Sequence, residues 1–88
     1  GWSLDLEARI KSIIEILAQL AEDTCVPSNI RRGAADAKTR LLKMDYALDL
    51  RVQSAFMIMD DLANDPNLPL HGRTQIWNII SALETVKP

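Results

Sequence analysis

The 88-residue sequence has little of what several specialised classes of protein depend on. Its single cysteine, Cys25, has no partner for an internal disulfide, so the sequence is not typical of a secreted domain stabilised by disulfides. The longest unbroken apolar run, residues 55–59, is too short for a membrane span or a signal-peptide core. We therefore expect a cytoplasmic protein that has no membrane partner.

Sequence patterns typical of catalysis and metal binding are also missing. The one histidine, His71, has no cysteine or glutamate at ligand spacing, and the three glycines form no phosphate-binding loop. No serine–histidine–aspartate, CxxC or HExxH pattern occurs. We predict a protein that is not an enzyme and that has no metal site and no cofactor. Cys25 is interpreted as a small buried residue, with a reactive thiol as the alternative.

What the sequence does contain is an internal repeat. When the chain is shifted by 42 residues, nine residues of the first half fall on identical residues of the second. The matching pairs are Arg9/Arg51, Ser12/Ser54, Ile16/Ile58, Leu20/Leu62, Ala21/Ala63, Asp23/Asp65, Pro27/Pro69, Arg31/Arg73 and Leu41/Leu83. A repeat of this length is typical of helical hairpins that stack or close on one another.

Apolar residues at helical spacing predict four helices at about residues 3–22, 27–43, 46–63 and 69–85. Pro27 suits the first position of the second helix, and Asp45 suits the N-cap of the third. Short connections make sequential helices antiparallel neighbours. We expect one all-α domain over residues 1–88, a four-helix bundle made of two pseudo-symmetric halves. Two stacked helical hairpins are the alternative.

Charge is unevenly distributed along the chain. Residues 28–44 carry a net charge of +4, whereas residues 1–27 carry −3 and residues 45–65 carry −4. The basic helix could contact anions or the phosphates of RNA or DNA, although the acidic helices beside it could equally neutralise it within the fold. The candidate contacts are Arg31, Arg32, Lys38, Arg40, Lys43 and Arg73.

Arg31 and Arg73 have a second interpretation because each follows an aspartate by eight residues. On this view a salt bridge to Asp23 or Asp65, or a contact with a backbone carbonyl, locks each turn. Asp60 and Asp61 are interpreted as helix-end residues, because their spacing does not match a calcium-binding loop.

Several large apolar residues lie off the predicted core stripes. Tyr46, Leu50 and Met57 share a second side of the third helix, which indicates a protein partner or a homodimer. Trp77 lies off the stripe of the fourth helix and is interpreted as a core residue at a helix crossing, or as an interface anchor. The preferred function is a non-enzymatic protein–protein interaction module, which could self-associate through the third helix. The alternative is an RNA- or DNA-associated protein that uses the basic face of the second helix.

Two turn regions resemble those of a small archaeal family known as uncharacterised protein family 147. They are DTCVPSNIRR at residues 23–32, and NDPNLP at residues 64–69 followed by RTQIWN at residues 73–78. The resemblance extends over about residues 13–86. It implies a short, all-helical, cytosolic archaeal protein, and it implies no activity.

A weaker likeness is to HEAT-type repeats, which carry an aspartate in the turn, a proline at the next helix and an arginine one turn further. Asp23, Pro27 and Arg31 match this pattern, as do their equivalents in the second half. HEAT repeats are scaffolds for protein interaction, and two units are fewer than such an array contains, so the likeness is an analogy.

Overall fold

The structure is a computed structural model that describes residues 2–86, with side chains for residues 5–86. Four helices make up the fold: α1 Trp2–Ala21, α2 Ser28–Leu42, α3 Leu48–Ala63 and α4 Leu70–Thr85. These bounds lie within two residues of those predicted, and residues 2–86 contain no strand. The fold class is therefore all-α, as the apolar periodicity predicts.

The four helices form a closed ring. Each helix packs against its neighbours in the chain, and α4 returns to pack against α1. In the diagonal pairs α1/α3 and α2/α4, no Cα atoms come within 8 Å of each other. Stacked hairpins would instead place α1 against α3 and α2 against α4. The closed four-helix bundle is thus confirmed, and the stacked alternative is wrong.

The core is entirely apolar. Every buried residue within residues 5–86 is hydrophobic, apart from Gly72. All four helices contribute to a single hydrophobic cluster. Leucines and isoleucines dominate in α1 and α4, whereas α2 contributes two small residues, Ala34 and Ala37. Because alanine lets helix axes approach closely, α2 fits tightly between α1 and α3.

Two expectations about local structure are wrong. Asp45 is not the N-cap of α3, because the cap is Ala47 and the helix begins two residues later than predicted. Pro27 is the N-cap of α2 and not its first residue, and its extended ψ of 154° directs the chain into the helix. Pro69 starts α4 in the same way, with a ψ of 160°. Proline fixes φ at a helix-compatible value, so neither cap depends on a side-chain hydrogen bond.

The repeat produces a pseudo-two-fold symmetry that is visible in the hydrogen bonds of both turns. Asp23 accepts a hydrogen bond from the backbone N–H of Cys25 at 2.9 Å, and Asp65 accepts one from Asn67 at 2.8 Å. The second carboxylate oxygen of each aspartate reaches across to the other half of the repeat. His71 Nε2 donates to Asp23 at 3.0 Å, and Asn29 donates to Asp65. These four residues, which we call the cross-clamps, join the first turn to α4 and the second turn to α2.

A second symmetric pair closes the opposite ends of the helices. Arg51 of α3 donates to the carbonyl oxygen of Leu41 near the end of α2, at 3.1 Å. Its repeat equivalent, Arg9 of α1, donates to the carbonyl oxygen of Thr85 at the end of α4, at 3.3 Å. The last carbonyls of a helix have no partner within the helix, and an arginine is well suited to satisfy them.

Candidate interaction surface between α2 and α3

The six basic candidate residues do not form one surface. Arg73 lies on α4, which is diagonally opposite the α2 helix that carries or borders the other five. Arg31 and Lys38 are half-buried at the edge of the core, whereas Arg32, Arg40 and Lys43 are exposed. The structure therefore brings only these three exposed cations together as an accessible basic face of α2.

Among the described residues, no ion pair joins the acidic helices to this face. Within the described part of the chain, the one ion pair made by α2 joins Arg40 to Asp36 in the same helix, at 3.7 Å with both side chains about half exposed. Arg31 makes no ion pair with Asp23 or Asp65, whose partners are His71 and Asn29, so the salt-bridge interpretation of Arg31 is wrong. The pairing proposed for Arg73 is absent for the same reason.

The off-stripe apolar residues are all exposed. The exposed fractions are 51% for Tyr46, 56% for Leu50, 61% for Met57 and 52% for Trp77. The core interpretation of Trp77 is therefore wrong. Leu50 and Met57 are seven residues apart on α3, which places them on the same outward side of the helix.

One shallow groove lies at the seam where α2 ends and α3 begins. We call it the basic groove, and it is lined by Arg40, Lys43, Tyr46, Leu50, Arg51 and Ser54 around a volume of about 260 Å³. The ammonium of Lys43 lies 5.5 Å from the centre of the Tyr46 ring, a cation–π distance. This groove joins the basic face of α2 to the exposed apolar residues of α3.

A second groove lies further along the same seam and has the opposite charge. We call it the acidic groove; Asp36, Asp60 and Asp61 line it together with Met57, around a volume of about 520 Å³. Leu50 therefore adjoins the basic groove and Met57 the acidic one. Along the outer side of α3 the order is basic, apolar and acidic, and we refer to this whole strip as the α3 surface.

An apolar groove of about 500 Å³ adjoins the basic groove on the side of α1. Arg51 lines both grooves, and Met44 and Leu42 line the apolar one. Met44 is 77% exposed. Its repeat equivalent, Val86, is buried. The side chain that follows α4 is therefore covered by the bundle, whereas the equivalent side chain that follows α2 is exposed to solvent.

Comparison of the two halves shows which exposed apolar side chains the helical packing does not require. Leu50, Met57, Leu70 and Trp77 are exposed in the second half. At the equivalent positions the first half has Ala8, Glu15, Ser28 and Ala35. The same helical packing is thus achieved without large apolar side chains at these positions, so their presence in the second half is not explained by the bundle.

Several residues that line the basic and acidic grooves are not among the site residues that the sequence predicts. Ser54 and Arg51 enter the sequence analysis only as repeat identities, and Asp60 and Asp61 only as helix-end residues. The repeat did carry a signal for Arg51, since an arginine shared with Arg9 indicates a common structural role. It carried no signal that Arg51 would border the basic groove, because that depends on the packing of α3 against α2.

The other polar candidates, Cys25 and His71, do not line the basic groove or the acidic groove. Cys25 is exposed in the first turn, so the expectation that it would be buried is wrong. His71 is engaged with Asp23, and no group of three or more potential metal ligands occurs among the described residues. No helix in residues 2–86 is both long and apolar enough to cross a membrane.

Hydrogen bonding lowers the pKa of the aspartates in the cross-clamps. The backbone N–H of Cys25, and then His71, hold the pKa of Asp23 below its ordinary value. The backbone N–H of Asn67, and then the Asn29 amide, do the same for the pKa of Asp65. Both carboxylates are thus hydrogen-bonded within the turns and to the helix of the other half.

The sequence and the fold together define a small, all-helical class of archaeal proteins. The chain belongs to the uncharacterised protein family UPF0147, whose model matches residues 3–86. It is 45% identical over 83 residues to a UPF0147 protein of Saccharolobus solfataricus, which covers 94% of this chain and 93% of that one. The resemblance of the two turn regions to this family is therefore confirmed.

Two crystal structures share the fold. One is of a UPF0147 family protein from Thermoplasma acidophilum, with a TM-score of 0.90 and 38% identity over 92% of this chain and 95% of that one. The other is of a protein of unknown function, MMP1188, with a TM-score of 0.86 and 45% identity over 91% of each chain. The family is uncharacterised, so these similarities establish the fold and bring no activity.

Proposed function

We propose that this protein is a non-enzymatic, cytoplasmic interaction module that self-associates through the α3 surface. The observation that carries the proposal is the order of groups along that surface. The Arg40 and Lys43 side chains lie at one end, Leu50 and Met57 lie in the middle, and acidic side chains lie at the other end. A strip with opposite charges at its two ends is complementary to a second copy of itself in the reversed direction.

A two-fold axis would pair the α3 helices of two copies antiparallel. Leu50 and Met57 are separated by about 10 Å along the helix, so each Met57 would approach the Leu50 of the second copy. Asp60 and Asp61 of each copy would face Arg40 and Lys43 of the other. This is an isologous interface, in which one surface patch meets the same patch on another subunit.

The apolar residues and the charges would contribute differently. Burial of exposed apolar area supplies affinity, whereas exposed charge pairs mainly determine orientation and the rate of encounter. Individual exposed pairs stabilise by about 0–1 kcal/mol and are screened by salt. We therefore expect a dimer that persists in high salt but assembles more slowly there.

The apolar contribution is tested by Leu50→Glu combined with Met57→Glu. Both residues are exposed, so the monomer should keep its fold, and two buried glutamates at the interface should abolish association. Leu70→Glu is the matched control, because Leu70 is exposed on α4 outside the α3 surface. Sedimentation velocity would show a monomer for the double variant and a dimer for the control. An unchanged oligomer in the double variant excludes this face.

The orientation is tested by reversing the charge at each end. Asp60→Lys with Asp61→Lys, and separately Arg40→Asp with Lys43→Asp, should each weaken association of the variant with itself. Mixing the two variants should restore a dimer. In the mixed dimer, the two basic ends of the first variant face the two acidic ends of the second. Failure of the mixture to associate, when each variant is folded, contradicts the antiparallel arrangement.

Trp77 is a further candidate for the interface, since it is exposed on α4 and the equivalent position in the first half is Ala35. Trp77→Gln removes the ring and leaves an uncharged polar side chain at the surface. If α4 belongs to the interface, this variant should dissociate at concentrations at which the natural protein stays dimeric. No change would restrict the interface to α2 and α3.

Nucleic-acid binding is the second candidate function, favoured by the absence of neutralising partners for Arg32 and Lys43 within the described residues. Binding through this face should depend strongly on salt. Arg32→Glu combined with Arg40→Glu should abolish it, while Lys11→Glu on α1 should not. Binding to RNA or DNA that survives the double change, or that never appears at low salt, rejects this candidate.

A further inference from the structure

We propose that the basic groove is a binding site for a small phosphate-bearing ligand, whose phosphate contacts Arg40, Lys43 and Arg51 while an attached ring packs on Tyr46. The inference goes beyond self-association and does not depend on it. It rests on the composition of the groove, on the environment of Arg51, on the volume of the groove and on the comparison between the two halves.

The lining contains three cations and no carboxylate. Arg40 does have an ion pair with Asp36, but at 3.7 Å and with both side chains exposed this contact is weak and readily exchanged for an anion. Guanidinium groups match the geometry of phosphate oxygens and bind them through paired hydrogen bonds. The Ser54 hydroxyl adds a neutral donor to the same lining.

Arg51 is held in place before any ligand arrives. Its Nη1 donates to the Leu41 carbonyl at 3.1 Å and lies 3.3 Å from the sulfur of Met44. Its Nε is buried and has no hydrogen-bond partner among the described residues. A guanidinium fixed by such contacts loses little conformational entropy on binding, and its Nη2 remains as a donor group for an anion.

Tyr46 gives the groove an aromatic side. Its ring is half exposed, and Lys43 lies 5.5 Å from the ring centre. A planar ring of a ligand can pack on the open part of this surface, as nucleobases do on aromatic side chains. The combination of an aromatic ring with adjacent cations is suited to a nucleoside phosphate better than to an inorganic ion alone.

The volume of the groove limits the size of the ligand. At about 260 Å³ it is smaller than most sites for drug-sized ligands, which have volumes of about 300–1,000 Å³. It can hold a phosphate with its sugar, while the base would lie outside on Tyr46. A dinucleotide or a polynucleotide would extend well beyond the lining residues.

The pseudo-symmetric position shows which features the bundle requires. Arg51 and Ser54 have identical equivalents, Arg9 and Ser12, which agrees with the structural role of the arginine at a helix end. Arg40 and Lys43 are replaced there by Ala82 and Thr85. The fold thus forms the same seam twice and places the additional cations at one of them, which is expected for a binding site and not for a structural feature.

The test is a titration of the full chain at low salt, followed by two-dimensional NMR of the backbone amides and by calorimetry. The probes are inorganic phosphate, adenosine 5′-monophosphate and adenosine. Both phosphate-bearing probes should give saturable shifts confined to amides around Tyr46, Arg51 and Ser54, and the monophosphate should bind more tightly. Adenosine should not saturate the site. Absence of saturable shifts with both phosphates overturns the proposal.

Variants distinguish a built site from general attraction to a basic surface. Arg40→Gln and Lys43→Gln should each weaken monophosphate binding about tenfold, since each removes a charge-assisted contact. Tyr46→Ala should weaken the monophosphate and leave inorganic phosphate unchanged. Arg32→Gln is the matched control, because Arg32 is exposed on α2 but outside the groove. An equal loss in Arg32→Gln, or shifts spread along α2, overturns the proposal.

A second copy of the protein would bring its own carboxylates to the same groove. The titration is therefore repeated with Met57→Glu, which lies outside the lining and is designed to prevent association. The proposal expects equal or tighter binding of the monophosphate in this variant. Loss of binding there, with the fold intact, overturns the assignment of the basic groove, whatever the oligomeric state of the natural protein.

Discussion

The aspartates of the two turns hold the connections that lead into α2 and α4, two helices without a side-chain cap. Asp23 and Asp65 each accept a hydrogen bond from a backbone N–H two residues later, and each also reaches the first turn of a distant helix through His71 or Asn29. A local turn and a long-range contact therefore depend on the same carboxylate. This explains why the aspartate is one of the nine identities between the halves.

These hydrogen bonds make the stability of the bundle sensitive to acid. The folded-state pKa of Asp23 and of Asp65 lies below the ordinary value of 3.8, so ionisation stabilises the folded state above that value. The stabilisation is lost as pH falls through the folded-state values. We predict a free energy of unfolding that declines below about pH 4, measured by urea denaturation at a series of pH values.

The control for this prediction is a neutral residue of the same shape. Asp23→Asn with Asp65→Asn keeps an acceptor for the backbone N–H but cannot titrate, so the decline in acid should be smaller than in the natural protein. Asp45→Asn, in the exposed connection before α3, should leave the decline unchanged. If the double variant loses stability in acid as steeply as the natural protein, the carboxylates of the turns are not the cause.

Gly33 allows a close approach between α2 and α3. A β-carbon at this position would lie 2.6 Å and 2.8 Å from the two terminal methyl carbons of Leu62. Crowding of this kind costs about 1–3 kcal/mol, against about 1 kcal/mol gained from replacing glycine by alanine in a helix. We predict that Gly33→Ala lowers the free energy of unfolding by about 1 kcal/mol, the net of these two effects.

The cause can be isolated in a second background. In a Leu62→Ala variant the contact no longer exists, so Gly33→Ala should raise the free energy of unfolding by about 1 kcal/mol through helix propensity alone. Chemical denaturation of the four proteins in this cycle gives the coupling between the two residues. Equal effects of Gly33→Ala in both backgrounds would show that the approach to Leu62 is not what limits this position.

At the scale of the elements, each odd-numbered helix supports the end of an even-numbered one. Arg51 is half-buried where it donates to Leu41, whereas the equivalent bond from Arg9 to Thr85 is longer and exposed. A hydrogen bond from a charged donor stabilises by about 1.5–3 kcal/mol when it is protected from water, and by less when it is exposed. The two symmetric contacts are therefore expected to contribute unequally.

We predict that Arg51→Met lowers the free energy of unfolding by about 1–2 kcal/mol. Arg9→Met should lower it by less than half as much. Methionine preserves the apolar stem of the arginine, so the comparison reports on the guanidinium group and not on packing. Thermal and urea unfolding of the two variants provide the measurement. An equal or larger loss for Arg9→Met would contradict the asymmetry.

The helices themselves were predictable because apolar residues recur at helical spacing and prolines begin two of them. Ile10, Ile13, Leu17 and Leu20 of α1 are buried, as that spacing predicts. The first residue of α3 was harder to predict from the sequence. Asp45 is a good N-cap by residue type, yet the chain continues in a turn until Ala47. A cap depends on where the connection places the helix, which local propensity does not specify.

Part of the candidate site was predictable from the sequence, but its arrangement was not. Sequence periodicity places Leu50 and Met57 on one side of α3, and composition identifies Arg40 and Lys43 as basic. Their meeting with Arg51 in one groove depends on the packing of α2 against α3. Trp77 illustrates the same difficulty, because spacing places it beside the apolar stripe but does not show whether a neighbouring helix covers it.

At the scale of the whole molecule, a nearly symmetric bundle carries an asymmetric surface. The cross-clamps and the Arg9 and Arg51 contacts repeat in both halves, as the needs of the fold require. The exposed residues Leu50, Met57 and Trp77 do not repeat. Symmetric residues thus maintain the structure, and the asymmetric ones are where we expect function to lie.

The mass of the protein in solution, measured by light scattering coupled to size-exclusion chromatography, shows whether it self-associates. We predict a species with twice the 9.8 kDa mass of one chain, at low salt and at high salt, because apolar contacts between the α3 surfaces supply the affinity. A species with the mass of one chain at every concentration and salt tested would contradict self-association through the α3 surface. Leu50 and Met57 would then not be covered by a second copy of the protein.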